Sequence, residues 1–397
     1  MMKPVHALWI PSWYCLEEDP IKGIFFKEQA QALRQAGINI GVIYPEIRPL
    51  RHLTLSLGLK NHFQTSFKDE AGIPTVRMHG WNLFPCWGKR QMQAWIAAAM
   101  KLMEYYVARR GLPTVIHAHS VLWGGICAEA IAQKYQIPYI ITEHFTGIQQ
   151  QAPLGEDLKT CWSRAYLRMA YQNAHQVFAV GSALKQAIES LTDREVVVMP
   201  NFFDEVFFQL KPASSTKEPF RYLCLAQLSD TKNYPLLLRA FQKAYKQNSQ
   251  LVLEIGGSGK IRGQLEKLSA SLGIAPAVHF LGGLSRGEVA AAMQRAHAFV
   301  LASRIETFGV VLIEALATGL PVIATRCGGP EDIVHGKNGM LVPSNDEEAL
   351  TQALLEMPKQ YDHYDPKLLR ADVIERFGKK TITKKIIHTY QSLQANP

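Results

Sequence analysis

The strongest constraint on this chain is an alternation of short apolar runs with longer amphipathic stretches. The alternation runs through once, breaks at a polar segment, and starts again. In the first half the runs Val5–Ile10, Ile38–Ile43, Thr114–Ala118, Tyr139–Thr142, Val177–Val180 and Val196–Met199 are predicted strands. The stretches 25–36, 91–109, 125–134, 158–172 and 183–190 are predicted helices. Gly37, Gly111 and Pro113 fall where helices should stop. The stretch 49–84 has no regular period and receives no assignment. After the break, strands are predicted at 222–226, 251–255, 278–281, 299–302, 321–324 and 340–342, with helices at 235–247, 261–272, 286–295 and 346–356. From Asp365 onward the pattern is helical without a strand.

Such alternation implies parallel sheets covered on both faces. The expected fold class is α/β, with two Rossmann-like domains facing each other across a cleft. The expected boundaries are 1–208 for the first domain, 209–219 for a linker rich in Lys, Pro, Ser and Thr, 220–378 for the second domain and 379–397 for a final helix. In doubly wound sheets, ligands sit beyond the carboxyl ends of the strands.

Composition narrows the function classes. Hydrophobic residues make up 47% of the 397, enough for real cores and too many for general disorder. The longest apolar run, Ala94 to Met100, is far too short for a membrane span. Pro11, Ser12 and Trp13 break the first apolar stretch, and Glu17, Glu18 and Asp19 follow, which is no secretory signal. The six cysteines are widely spaced with no C-x-x-C pair, the usage of a reduced, cytoplasmic protein. The net charge of +9 suits nucleic acid, an anionic membrane or a phosphorylated substrate alike. No nucleic-acid-binding signature, Asp-x-Asp triplet or serine nucleophile elbow occurs. Neither a metal nor a resident cofactor is expected.

The stretch Ser303 to Pro321 carries the most chemistry. A strand ends near Ala302, a loop holds Arg304 and Glu306, and a helix starts near Gly309 and stops at Gly319. That helix is apolar almost all round, so it is buried, yet Glu314 stands in its middle. A buried carboxylate needs a partner, either a sugar or ribose hydroxyl or a buried arginine. The helix N-terminus at Phe308, Gly309 and Val310 offers free backbone N–H groups for an anion. Gly256 to Lys260 is a glycine-rich turn after a strand but not a P-loop, since Ile261 follows the lysine.

Glu306 and Glu314, with seven residues between them, resemble the Glu-x7-Glu arrangement of retaining family-4 glycosyltransferases of GT-B fold. Residues 253–260, 324–331 and 338–343 are similar to that family's glycine-rich loop, glycine pair and closing strand. Residues 9–14 and 20–26 resemble the N-terminal loop of some bacterial members. The resemblance implies that Glu306 holds donor-sugar hydroxyls, Glu314 the nucleotide ribose, and the backbone of Phe308, Gly309 and Val310 the diphosphate. Lys232 matches the phosphate-binding lysine after the first strand of the second domain. Gln227 stands where many members have an arginine, and Gln carries no charge. Arg304 and Lys260 are candidates for the missing cation. Gly257 is expected to border the donor, and Gly23 to allow close backbone approach. His144, after the strand ending at Thr142, is similar to the family's sugar-binding histidine. His119 reads as lining the cleft and His117 as structural. The final helix is expected to cross back to the first domain.

The resemblance implies transfer of a hexosyl or N-acetylhexosaminyl group from a nucleotide sugar, UDP-linked, to a glycan or lipid-linked acceptor, with retained configuration and without metal. Two alternatives remain open at this point: a non-catalytic protein that binds nucleotide sugars or polyanions, and a nucleotide-sugar epimerase. The segment 89–110, basic at both ends and apolar between, reads either as a core helix or as a helix lying on an anionic membrane surface.

Overall fold

A computed structural model describes residues 4–16, 23–84, 87–149, 161–210 and 219–395. Residues 17–22 (which include the start of the expected loop segment 20–26), Cys86, the start of the helix expected over 158–172 and most of the expected linker (211–218) lie outside the described residues. The chain divides into two compact units. One runs to Val180, adds Leu184–Met199 and takes up the C-terminus from Thr383. The other comprises Gly181–Ala183 and Pro200–Ile382. Pro200–Leu210 thus goes with the second unit rather than the first. Arg370 there donates to the carbonyls of Phe208 and Glu205, as well as to Ala317 O at 2.7 Å.

The first unit holds an eight-stranded sheet. Its strands are β1 (His6–Pro11), β2 (Asn39–Arg48), β3 (Gln64–Glu70), β4 (Ile73–Trp81), β5 (Val115–His119), β6 (Tyr139–Glu143), β7 (Gln176–Ala179) and β8 (Val196–Val198). Their order is β3-β4-β2-β1-β5-β6-β7-β8, parallel except that β3 pairs antiparallel with β4. β1 and β5 are buried at every position because helices cover both faces. The irregular stretch 49–84 proves to be a short helix, Leu55–Lys60, followed by the β3–β4 hairpin. The period failed there because the exposed edge strand β3 is polar, Gln-Thr-Ser-Phe-Lys-Asp-Glu.

The second unit holds β9 (Phe220–Leu225), β10 (Leu251–Gly256), β11 (Val278–Gly282), β12 (Ala298–Leu301), β13 (Val322–Arg326) and β14 (Gly339–Pro343). Their order is β11-β10-β9-β12-β13-β14, all parallel. Counted from β9 this is 3-2-1-4-5-6, the dinucleotide-binding order. The order reverses between β9 and β12, so the loops after those two strands diverge and leave a crevice between them. In the first unit the reversal lies between β1 and β5.

The helix Gly88–Arg110 settles its own ambiguity. Met92, Trp95, Ala98, Ala99, Leu102, Met103 and Tyr106 are buried within the first unit. Its apolar face is core and is not available to a bilayer. Among the described residues no helix is long and apolar enough to cross a membrane.

The C-terminal helix Lys379–Ala395 belongs, from Thr383 on, to the first unit. Tyr390 is its anchor. The fully buried hydroxyl accepts from Trp9 Nε1 at 3.0 Å and meets His117 Nδ1 at 2.6 Å. Removing it strands two buried ring nitrogens. Tyr390→Phe should therefore destabilise the protein by about 2 kcal/mol. Urea unfolding followed by circular dichroism measures this, and an unchanged midpoint would show that the hydroxyl is not holding the helix in place.

Candidate active site

The site in the second unit is built where the strand order reverses. After β9 the chain passes through a 3-10 turn, Asp230–Lys232. Asn233 then adopts a left-handed conformation with φ 50° and starts the helix Tyr234–Gln247. After β12 the loop 302–309 begins with buried Ser303. The backbone N–H of Arg304 donates to Thr231 O at 2.8 Å, which ties the two loops together.

That tie brings Lys232 to Glu306. The Nζ of Lys232 donates to Glu306 Oε1, and Ser303 Oγ donates to the same oxygen at 2.8 Å. The Glu306 side chain is only 11% exposed, so its charge is compensated by a cation and a hydroxyl rather than by bulk water. The backbone holds the carboxylate in place. Glu306 N–H donates to Cys327 O at 3.2 Å, and Gly329 N–H donates to Glu306 O at 2.8 Å. Gly329 lies so close that a Cβ there would come within 2.3 Å of the Phe308 backbone. Gly329 is therefore a packing requirement of the loop that carries Glu306.

Gly309, with φ 99°, caps the N-terminus of the helix Val310–Ala317. In the first turn of that helix Leu312 N–H donates to Gly309 O at 2.9 Å, the N–H groups before it have no intrahelical acceptor, and the peptide dipoles make the end positive. Phe308 is buried edge-to-face against Phe377, with ring centroids 5.4 Å apart. Four residues into the helix, buried Glu314 is paired with the Nη1 of Arg286 at 2.5 Å. Arg286 is the first residue of the helix Arg286–Arg295. Ser285 caps that helix, and Glu288 returns a bond to the Ser285 backbone. Its guanidinium also lies over the Phe208 ring, 4.9 Å from the centroid.

The structure thus brings Glu306, Lys232, Glu314, Phe308, Gly309 and Val310 into one local system and adds Arg286, which sequence reasoning missed. The Ser-x-x-Glu capping box at 285–288 is readable, but nothing in the sequence says which carboxylate the arginine faces. Arg304 and Lys260, the candidates for the missing cation, both have exposed side chains, and neither pairs with Glu306 or Glu314 among the described residues. Gln227 is exposed as well. Gly257, with φ 138°, has a backbone reason for being glycine: a Cβ would sit 1.9 Å from Ala226 O. The turn after β10 lies against the segment after β9, with Leu228 N–H donating to Ser258 O at 2.9 Å.

The first unit gathers a different cluster at its own reversal point. Ser12, after β1, donates to His119 O at 2.8 Å and Ser120 O at 3.0 Å. His119 ends β5, and His144 follows β6. His119 Nδ1 and His144 Nε2 are 3.3 Å apart, and the Phe26 ring meets His144 edge-on. Glu143 is fully buried and accepts from the backbone N–H groups of Val121, His144 and Phe145 and from the Tyr171 hydroxyl. These four donors hold the turn that carries His144. Both nitrogens of His117 are engaged, with Tyr390 and Thr142, so this ring is structural. His144 Nδ1 and His119 Nε2 are buried without a partner among the described residues. An unsatisfied buried nitrogen is uncommon. Gly23, with φ 73°, starts the helix Ile24–Gln35, and its carbonyl accepts from Phe26 N–H at 3.0 Å.

Burial depresses all three imidazoles. His117 and His144 fall to about 3, and His119 falls well below its usual 6.5, through desolvation aided by the neighbouring rings. They are neutral in the folded state. Below pH 6.5 the unfolded chain takes up protons that the folded chain refuses, so stability falls as pH drops from about 6.5 toward 3. Each such proton changes the unfolding constant about tenfold per pH unit. Urea unfolding between pH 7 and pH 5 should show this loss, and His144→Gln should flatten the slope by up to one proton. An equal slope in both proteins would mean that His144 is charged when folded.

Comparison with known proteins agrees with this geometry. The model of Glycosyltransferase Family 4 matches residues 23–207, and that of Glycosyl transferases group 1 matches residues 206–371. Fold and sequence together define a glycosyltransferase of GT-B fold. The chain belongs to glycosyltransferase family 4. It is 25% identical over 409 residues to the putative teichuronic acid biosynthesis glycosyltransferase TuaC of Bacillus subtilis, covering 97% of this chain and 98% of TuaC. Two solved structures share the fold at 18% identity. Sucrose-phosphate synthase from Thermosynechococcus elongatus covers 100% of both chains with a TM-score of 0.78. HepE of Anabaena, in complex with UDP and glucose, covers 98% of this chain and 100% of its own with a TM-score of 0.73.

Proposed function

We propose that this glycosyltransferase moves a hexosyl or N-acetylhexosaminyl group from a UDP-linked donor to a glycan or lipid-linked acceptor, with retention of the anomeric configuration and no metal or resident cofactor. The observation that carries the reading is the Lys232–Glu306 pair beside the open N-terminus of the helix Val310–Ala317. A cation and free backbone N–H groups suit a diphosphate, and the adjoining carboxylate suits sugar hydroxyls. HepE supports the choice of UDP through its bound ligand. TuaC supports a role in surface-polymer synthesis through its named pathway. The cysteine usage supports work in the cytoplasm.

In this reading Glu306 accepts from donor-sugar hydroxyls, and Lys232 stays within reach of the leaving diphosphate. The N–H groups after Gly309 hold its phosphate oxygens, and Glu314, oriented by Arg286, accepts from the ribose. His144 offers its Nδ1, without a partner among the described residues, to a sugar hydroxyl. The acceptor oxygen forms the new bond to the anomeric carbon on the face from which the phosphate oxygen departs. The acceptor proton passes to that phosphate oxygen. No protein nucleophile is required, and the chain contributes positioning and electrostatic stabilisation of the leaving charge. The charge that a divalent ion would neutralise falls to Lys232 and the helix dipole.

Screening nucleotide sugars by melting temperature identifies the donor, because a ligand bound only by the folded state raises it by mass action. Lys232→Ala and Glu306→Gln should each lower kcat/KM by about 100-fold or more. Transfer should survive EDTA, and NMR of the product should show the donor's anomeric configuration. Near-wild-type turnover in both variants would overturn the site assignment. A strict metal requirement would overturn the metal-free reading, and donor binding without turnover across a broad acceptor panel would overturn catalysis.

A further inference from the structure

The free edge of the first unit's sheet carries a feature that donor binding does not use. Cross-strand register places Glu46 opposite His79 and Tyr44 opposite Arg77, while β3 sets Gln64 opposite His79 and Ser66 opposite Arg77. Because successive side chains alternate, Glu46 and Arg48 of β2, Arg77 and His79 of β4 and Ser66 and Lys68 of β3 all share one face. The opposite face carries Ile47, Val76 and Met78. A sheet face beside a core is ordinarily apolar, and this one is charged.

The charges are organised. Arg77 donates to both oxygens of Glu70, at 2.7 and 2.8 Å, and to Glu46 at 2.8 Å. Its guanidinium lies over the Tyr14 ring, 5.1 Å from the centroid. Arg48 pairs with Glu46 and donates to Asn61 Oδ1 at 2.8 Å. His79 bonds Ser66 Oγ at 2.8 Å and reaches Glu46 at 3.3 Å. Burial alone would raise the Glu46 carboxyl, but the His79 bond and the two arginines outweigh it and hold it below its usual range. Buried ionic clusters of this kind rarely add stability over an apolar core, so their presence asks for a function.

These side chains floor a cavity of about 810 Å³. Among the described residues, Lys27, Arg48, Lys60, Lys68 and Arg77 line it together with two carboxylates, Glu46 and Glu70. Both carboxylates are already engaged by the arginines of the floor. Lys27 and Lys60 have no carboxylate at ion-pair distance among the described residues. Low-dielectric walls and one sign of net charge focus the field inward and favour an anion. Lysine binds a phosphate or carboxylate as a mobile point charge, and the fixed arginine fork supplies direction.

We propose that this cavity binds an oxyanion, the phosphate or carboxylate group of a substrate other than the nucleotide sugar. Its assignment to the acceptor rests on the transferase reading above. Calorimetric titration of the full chain at saturating UDP tests it, because UDP then occupies the donor's own phosphate site. Inorganic phosphate, D-glucuronate and dihexanoyl phosphatidate serve as probes. The best-bound of the three separates a free phosphate, an acidic sugar and a lipid headgroup as the source. At least one should bind at millimolar concentration or tighter, weaken as salt rises, and weaken about tenfold or more in the Lys27→Gln/Lys60→Gln variant while UDP affinity stays the same. Failure of all three probes to bind, or undiminished binding in the variant, overturns the proposal. If UDP itself does not bind, the donor-site reading fails instead, and the same titration without UDP still decides whether the cavity takes an anion.

Discussion

The second unit's site depends on compensating the charge of one poorly solvated carboxylate. Glu306 sits on a loop whose backbone is held between Thr231 and Cys327, and its charge is met by Lys232 and Ser303. Charge compensation dictates the local structure. The 3-10 turn after β9 presents the lysine, buried Ser303 supplies the hydroxyl, and Gly329 lets two backbone segments touch. A side chain at 329 would push the loop away and separate the carboxylate from its cation. Energetically the pair is the least costly way to keep a charge here, and chemically it is a cation and an acceptor set side by side at a helix N-terminus.

The same logic recurs at Glu314 and Glu143 with different partners. Glu314 is compensated by Arg286, a guanidinium that also lies over an aromatic ring. Glu143 is compensated by four neutral donors and shapes the turn that carries His144. The histidines nearby are kept neutral by burial, so they act as hydrogen-bonding groups and not as charges. The two units thus place charge differently. Glu306 and Glu314 are met by the cations Lys232 and Arg286, while Glu143, beside His144, is met by neutral donors.

Much of the fold was legible because parallel sheets bury both faces of their strands. Such strands read as continuous apolar runs, as β12 does, and as Ala7–Ile10 of β1 and Tyr222–Leu225 of β9 do. Glu306 and Glu314 were legible because a carboxylate in or beside an apolar helix violates the local pattern. The pairing of Arg286 with Glu314 was illegible because sequence position says nothing about which carboxylate a side chain faces. The stretch 49–84 was illegible for a related reason. Its edge strand has a polar composition, and the charged face it helps to build runs against the usual rule for sheets.

By itself, then, the sequence determined two doubly wound units, the strand–loop–helix carrying Glu306 and Glu314, and the lysine after the first strand of the second unit. These are local features, written in periodicity and in departures from it. Only the tertiary structure decided that Arg286 faces Glu314, that Tyr390 closes on Trp9 and His117, and that charged residues of β2, β3 and β4 share one face. Those contacts join residues 28 to 381 positions apart, or depend on cross-strand register. Periodicity specifies which face of an element is buried. Which partner waits across from that face is set by strand order and register, and these exist only once the chain has folded.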